Sequence, residues 1–349
     1  MEDIIRSLNR AFISQGWAYG EKLHRIGNPF SWVDADQLSK VEVVHGPQAF
    51  LQYLTMFFEQ YPTPERIRTD DYDEMLRTIE ECLSKAYRHF VPFPSDMEDD
   101  FKKSVTCNAV VRAQDYCALR SFCGGISSPI NHLDIGPGLG THAVYSRKGF
   151  DSNFYALEAS PHSYSIQRDF FRFLSGGEAI YLDVVECENF NLSESSIKAL
   201  VNKHPEYRLK HIPSWHFGIV ESGSIDLITA TWVLNEINSA GILWLMSQTS
   251  RVLRKGGYLY IRDSSKLKPL RHSINYDKLL PKIGFAEVGR LRARNRVDLH
   301  GIPRAYQKIK DCESSFEELV NLCLGKFAVT THGGGYVQNM PRSQGDKVV

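Results

Sequence analysis

Asp134, Gly136, Gly138 and Gly140 stand in the run Asn-His-Leu-Asp-Ile-Gly-Pro-Gly-Leu-Gly-Thr, residues 131–141, and their types and spacing suit the holding of a small ligand. Glycines at alternate positions let the backbone take left-handed dihedrals and approach a ligand closely. A helix starting just beyond them offers unpaired N–H groups to an anion. A dinucleotide cradle requires Gly-x-Gly-x-x-Gly, and counting from Gly136 its last glycine is replaced by Thr141. The pyrophosphate version therefore fails, and NAD is not expected to bind. A second acid, Glu158, ends the run Asn-Phe-Tyr-Ala-Leu-Glu, 18 residues beyond Gly140. At the end of a second strand a carboxylate can accept hydrogen bonds from both hydroxyls of a ribose. The plain alternatives are a structural strand-to-helix turn and a solvated acid at a strand end.

These residues need a sheet to hold them, and the apolar pattern supplies one. Ile130, Leu133 and Ile135 lead into the glycine turn as a short buried strand, followed by a helix over 141–148. Residues 153–158 read as a second strand. Ser160 as cap and Pro161 in the first turn then open a helix over 161–174, which Gly176 and Gly177 stop. Further strands are expected at 179–184, 225–230 and 258–262, with a helix over 240–253 before the last of these and a helix and hairpin closing the fold by 309. Side chains just past the carboxyl ends of such strands face the ligand crevice. That places Thr231, Trp232, Asn235 and Glu236 beyond the fourth strand and Asp263 beyond the fifth. Asp263 is a candidate base or cation ligand, or else a cap for the loop that follows. Residues 186–222 form an insertion with a helix over 193–204. Its polar remainder, 205–218, carries Tyr207, His211, Trp215, His216 and Phe217 and is expected to be a mobile lid over substrate. His204, His211 and His216 lack regular ligand spacing and an accompanying acid pair, so they read as solvated loop histidines and not as metal ligands.

The pattern acidic-x-Gly-x-Gly-x-Gly, with Asp134 as the acid, resembles motif I of the class I S-adenosylmethionine-dependent methyltransferases. The resemblance continues at Ile-Asp-Leu-Ile with the following Val-Leu-Asn-Glu-Ile. It continues again at Arg-Val-Leu-Arg-Lys-Gly-Gly-Tyr-Leu, where Lys255 stands at the family's usual proline. It runs over residues 130–310 and implies an α/β fold, a doubly wound, seven-stranded, mostly parallel Rossmann-like sheet, with S-adenosyl-L-methionine as cofactor. By the same resemblance Asp134, Gly136, Gly138 and Gly140 hold the methionine end and Glu158 the ribose. Asp183 and the Val184 backbone take the adenine, Thr231 is a further cofactor residue, and Trp232, Asn235 and Glu236 stand beside the transferable methyl. For Asp183 the alternative is a cap on the following turn. Methyl transfer is an in-line displacement, so the protein chiefly positions the acceptor and removes its proton. The helical amino-terminal region, Asn235-Glu236 and Asp263 make the chain loosely similar to sugar O-methyltransferases. The expected acceptor is thus a small-molecule hydroxyl, with Glu236, Asp263 and His300 as candidate catalytic bases and a magnesium ion between the first two as a variant. A methyltransferase acting on a protein or another small-molecule nitrogen stays open, as does a non-catalytic binding protein that keeps the fold. No Asn-Pro-Pro-aromatic motif follows the fourth strand, which argues against exocyclic nitrogens of nucleic acid.

The rest of the chain frames this unit. Phe50, Leu51, Leu54, Phe57, Phe58 and Tyr61 form one helical stripe, and Tyr72, Met75, Leu76, Ile79, Leu83, Ala86, Tyr87 and Phe90 a second. With a helix over 109–121 they give an all-α accessory domain over 1–120, ahead of a cofactor-binding domain over 121–310. Ser314 and Glu317 box the start of a last helix within 311–329, and the polar tail 330–349 is expected to be disordered. The 41 basic and 41 acidic residues cancel, so charge draws the chain to neither nucleic acid nor membrane. Seven cysteines without a Cys-x-x-Cys pair read as reduced thiols of a cytoplasmic protein, and no continuous apolar run marks a leader or a membrane span.

Overall fold

Short runs, several of them closed by a glycine, a proline or an acid, become the strands of one sheet in the computed structural model, which describes residues 69–90, 98–234, 237, 239–263, 276–291, 302–312, 314, 318 and 319. Helices α1 (Tyr72–Phe90) and α2 (Glu98–Phe122) come first. There follow β1 (Asn131–Ile135), α3 (His142–Phe150), β2 (Asn153–Glu158), α4 (Pro161–Ser175), β3 (Tyr181–Asp183), α5 (Val184–Asn189), α6 (Glu194–Lys203) and β4 (Leu209–Pro213). A 3₁₀ turn (Ser214–Ile219) leads to β5 (Ile225–Thr231), α7 (Ser239–Val252), β6 (Leu253–Arg262), α8 (Tyr276–Lys282), β7 (Phe285–Arg290) and β8 (Arg304–Lys308). The order across the sheet is β3-β4-β2-β1-β5-β6-β8-β7. All neighbours from β3 to β6 are parallel, and β8 pairs antiparallel with both β6 and β7.

The sheet has eight strands where seven were expected, and the extra one is β4. It comes from the polar stretch read above as a lid, and all five of its residues are buried. Its two polar side chains are satisfied inside the protein. Lys210 lies 4.5 Å from the centroid of the Tyr155 ring, and His211 is bonded through Nε2 to Gln167 Oε1 at 2.9 Å. A strand paired on both edges is a fixed part of the core, so the mobile-lid expectation is withdrawn. The predicted helix before it is present as α6, capped by Ser193, whose side chain accepts from the Ser196 amide. The third strand is shorter than predicted, because Val184 already opens α5.

Alternation along the strands assigns each side chain to one of two cores. Leu133, Ile135, Leu157, Ala230, Leu259 and Ile261 face one side, covered by α5 to α8 and the 3₁₀ turn. Phe154, Ala156, Leu227 and Tyr260 face the other, and there they share one core with Leu83 and Tyr87 of α1 and Tyr116 and Leu119 of α2. The described helices of the expected amino-terminal domain are therefore packed on the sheet and do not enclose a separate core. The stripe at 50–61, the tail 330–349 and, apart from 314, 318 and 319, the last helix lie outside the described residues. Among the described residues no helix is long and apolar enough to cross a membrane, and the six described cysteines are free thiols.

Candidate functional site

The same alternation aims Asp134, Thr229, Thr231 and Arg262 at the α2 side of the sheet, where α3 begins. At the end of β1 the chain breaks on Gly136 and Gly140, at φ 60° and 84°. A Cβ on Gly136 would collide with Val233, and one on Gly140 would lie 2.7 Å from Phe171 Cε1. Both positions combine a left-handed backbone with no room, so Gly140→Ala is expected to destabilise the protein by about 1–3 kcal/mol in urea denaturation. A change within ~0.3 kcal/mol would show that the turn adapts. Thr141, at the start of α3, makes no side-chain cap bond, and its buried hydroxyl has no hydrogen-bond partner among the described residues.

Under this turn lies a buried polar network. Asp134 Oδ1 accepts from the Thr229 hydroxyl at 2.6 Å, while its Oδ2 stands 2.8 Å from His142 Nδ1. The other imidazole nitrogen of His142 is 3.4 Å from Asp115 Oδ2 and 3.1 Å from Arg112 Nη1. Asp115 and Arg112 come from the middle of α2. Asp115 accepts from Arg262 Nε at 2.6 Å and Nη2 at 2.9 Å, and from the Tyr260 hydroxyl at 2.7 Å. Burial alone would push the Asp115 carboxyl up, but Arg262 and His142 hold it well below the usual carboxylate range. Neither Asp115, Arg112 nor His142 was singled out from the sequence. The available signal is an Arg-x-x-Asp spacing on a helix that ends just before the glycine strand, and it is a common spacing.

Glu158 ends β2 as expected and is buried. Its Oε1 accepts from the amides of Ala159 and Ser160, both at 2.8 Å, and its Oε2 from Gln167 Nε2 at 2.7 Å. Gln167 also donates to the carbonyl of Gly138 at 2.7 Å, which ties the acid to the glycine turn. With both acceptors on its amide nitrogen, Gln167 turns its oxygen to His211, whose Nε2 therefore carries the proton. Nδ1 of His211 then accepts from the Tyr181 hydroxyl at 3.2 Å. Burial, with a contribution from Arg168, keeps His211 neutral by driving its pKa far down. The histidine read as a solvated loop residue is thus the far end of a relay that holds Glu158. His216 and His204 are both half-buried, the first paired with Glu188 and the second 2.7 Å from Glu206.

Asp183 caps α5, its Oδ1 accepting from the amides of Val185 and Glu186 at 3.0 and 3.2 Å and from the Tyr164 hydroxyl at 2.7 Å. Oδ2 lies 3.2 Å from Arg168 Nε. The cap reading is the one the structure forms. Because β4 intervenes, Asp183 and Val184 end a strand that does not touch β2. The position beside Glu158 belongs to Pro213, and Ser214 follows it. The Ser214 hydroxyl is buried and has no hydrogen-bond partner among the described residues, which makes it a candidate that the sequence reading did not name.

At the end of β5, Thr231 is buried and its Oγ1 lies 3.5 Å from Arg112 Nη1. Trp232 has φ 61°, an uncommon conformation for a bulky residue, and its amide donates to the Arg262 carbonyl at 2.9 Å. Asp263 Oδ2 accepts from the Leu234 amide at 3.1 Å, so this acid anchors the loop after β5. Asn235, Glu236 and His300 lie outside the described residues, and the convergence of Glu236 with Asp263 is left as an expectation. Among the described residues no cluster of three histidine, cysteine or acidic side chains could hold a metal ion.

No protein-family model matches the chain, and no curated protein does. Solved structures do. Phosphoethanolamine N-methyltransferase 2 of Haemonchus contortus, in complex with S-adenosyl-L-methionine, is 16% identical over 43% of this chain and 27% of its own, with a TM-score of 0.28. The match thus spans under a third of that protein. A SAM-dependent methyltransferase of Aquifex aeolicus is 15% identical over 55% of this chain and 87% of its own, at 0.32. A TehB-like SAM-dependent methyltransferase of Corynebacterium glutamicum is 12% identical over 55% and 88%, at 0.36. The narrower resemblance to sugar O-methyltransferases has no counterpart in these three, and what each of them acts on is a property of that protein.

Proposed function

We propose that the chain binds S-adenosylmethionine across the carboxyl ends of β1, β2, β4 and β5 and transfers its methyl group to a small-molecule acceptor. The observation that carries this reading is the pairing of the glycine turn with Glu158 through Gln167: a backbone with no room for side chains lies beside a fixed carboxylate at the next strand. Buried hydroxyls at Thr141 and Ser214 without partners among the described residues also fit a polar ligand along this edge. When bound, the cofactor supplies an electrophilic methyl on a sulfonium. Glu158 orients the ribose, Ser214 stands where the adenine ring would lie, and Asp134 faces the cationic amino-acid end. The loop from Thr231 to Leu234, fixed by Asp263 and the Arg262 carbonyl, forms the floor against which an acceptor is positioned.

Isothermal calorimetry tests the reading directly. S-adenosylmethionine and S-adenosylhomocysteine are expected to bind, and NAD is expected to give no heat. Absence of binding by both adenosyl compounds would remove the proposal. Where they bind, incubating radiolabelled S-adenosylmethionine with fractionated metabolite extracts should label one class of small molecule.

A further inference from the structure

Arg112 is half-buried in an unusual way. It sits one helical turn before Asp115 on α2, with a side chain 17% exposed. Among the described residues its contacts all go to Nη1, at 3.1 Å to His142, 3.4 Å to Asp115 Oδ2 and 3.5 Å to Thr231 Oγ1, the last two at the long limit of hydrogen bonding. Asp115 is already taken up in a two-bond fork by Arg262, so it does not complete the coordination of Arg112. The Nε of Arg112 is buried and has no hydrogen-bond partner among the described residues. Among the described residues one whole edge of the guanidinium, Nε with Nη2, is uncommitted. That edge is the one that grips a carboxylate with two parallel hydrogen bonds.

Its surroundings say which carboxylate. Arg112 spans from His142, the first residue of α3 after the glycine turn, to Thr231 at the end of β5. These flank the turn on both sides. On the far side of the same imidazole is Asp134, 2.8 Å from His142 Nδ1. A positive fork and a negative carboxylate are therefore set on either side of one ring, at the mouth of one turn. The complementary ligand is a zwitterion with its own carboxylate and ammonium on neighbouring atoms, which is an α-amino acid group.

We infer that Arg112 binds the carboxylate of the amino-acid end of the ligand, and that α2 is for this reason part of the cofactor site. The inference rests on the proposed cofactor. It also explains why an arginine is kept half in the core with an unmatched donor: the missing acceptor arrives with the ligand.

The test compares two ligands that differ in this group. S-adenosylhomocysteine has the amino acid, and 5′-methylthioadenosine lacks it while keeping adenine and ribose. In calorimetry Arg112→Ala should weaken S-adenosylhomocysteine by about 10-fold or more and leave 5′-methylthioadenosine within about twofold. Arg112→Lys, which keeps the charge and loses the fork, should fall between. Equal loss for both ligands, or for neither, would overturn the inference, since a merely structural arginine does not discriminate between them. Wild-type protein gives an arm that needs no variant: decarboxylated S-adenosylmethionine should bind about 10-fold or more weaker than S-adenosylmethionine, and equal affinity would overturn the inference. Wild-type protein that binds none of these compounds would instead overturn the cofactor assignment on which the inference stands.

Discussion

Asp115→Ala is expected to lower the free energy of unfolding by about 3–5 kcal/mol, because it removes the fork that pairs the buried guanidinium of Arg262. The two side chains are 1% and 5% exposed, so solvent cannot take the place of the lost partner. Urea denaturation at neutral pH measures the loss, and a change under ~1 kcal/mol would mean that the pair does not hold α2 to the sheet. Acid gives the same result by another route. The folded carboxyl is held below its unfolded value of about 3.9, so its contribution is complete above that pH and is lost as pH falls from there toward the folded value. Wild-type stability should thus decline on acidification below about pH 4 more steeply than that of the Ala variant. Substituting Asp115 by leucine and Arg262 by methionine together should recover part of the stability that either change alone removes.

Glu158→Ala should weaken S-adenosylhomocysteine by roughly 10- to 100-fold, equivalent to the loss of charge-assisted hydrogen bonds of about 1.5–3 kcal/mol. Both oxygens already accept from Ala159, Ser160 and Gln167, which fixes the carboxylate before any ligand arrives. Ribose hydroxyls would share the oxygens with those donors. A milder variant separates orientation from charge. Glu158→Gln must set an amide against the amide of Gln167, or else give up the amides of Ala159 and Ser160, so it should lose nearly as much as alanine. Unchanged calorimetric affinity in both variants would sink the ribose assignment.

What could be read from the sequence followed from local rules. Glycine spacing and a strand-ending acid marked Asp134 to Gly140 and Glu158, and Ser160 with Pro161 marked the start of α4, all of which depend on neighbours in the chain. The strand β4 was illegible because Lys210 and His211 look solvated. They are buried only because Tyr155 and Gln167, distant in sequence, offer a ring face and an amide oxygen. Missing that strand also concealed which residues stand next to Glu158, since Pro213 is its register partner and Asp183 ends a strand one further out. Asp115 was hidden for a similar reason. An acid in the middle of a helix is ordinarily a surface residue, and nothing nearby announces Tyr260 or Arg262.

The insertion of β4 between β3 and β2 also bears on how the chain is made. Synthesis delivers β2 and then β3, but β3 joins the sheet solely through β4, which emerges after α5 and α6. Until then the outer edge of β2 is an open template, and the nascent β3 is the nearest strand able to occupy it. That mispairing would bring Asp183 to Glu158 and shut β4 out, leaving Lys210 and His211 in water and Leu209 and Ile212 with nothing to cover. Correct closure requires waiting for a non-local strand, the kind of step that slows folding and populates intermediates prone to aggregation. A delay between the release of β3 and that of β4 would hold this competitor in place, so the yield of native protein should depend on how quickly β4 follows.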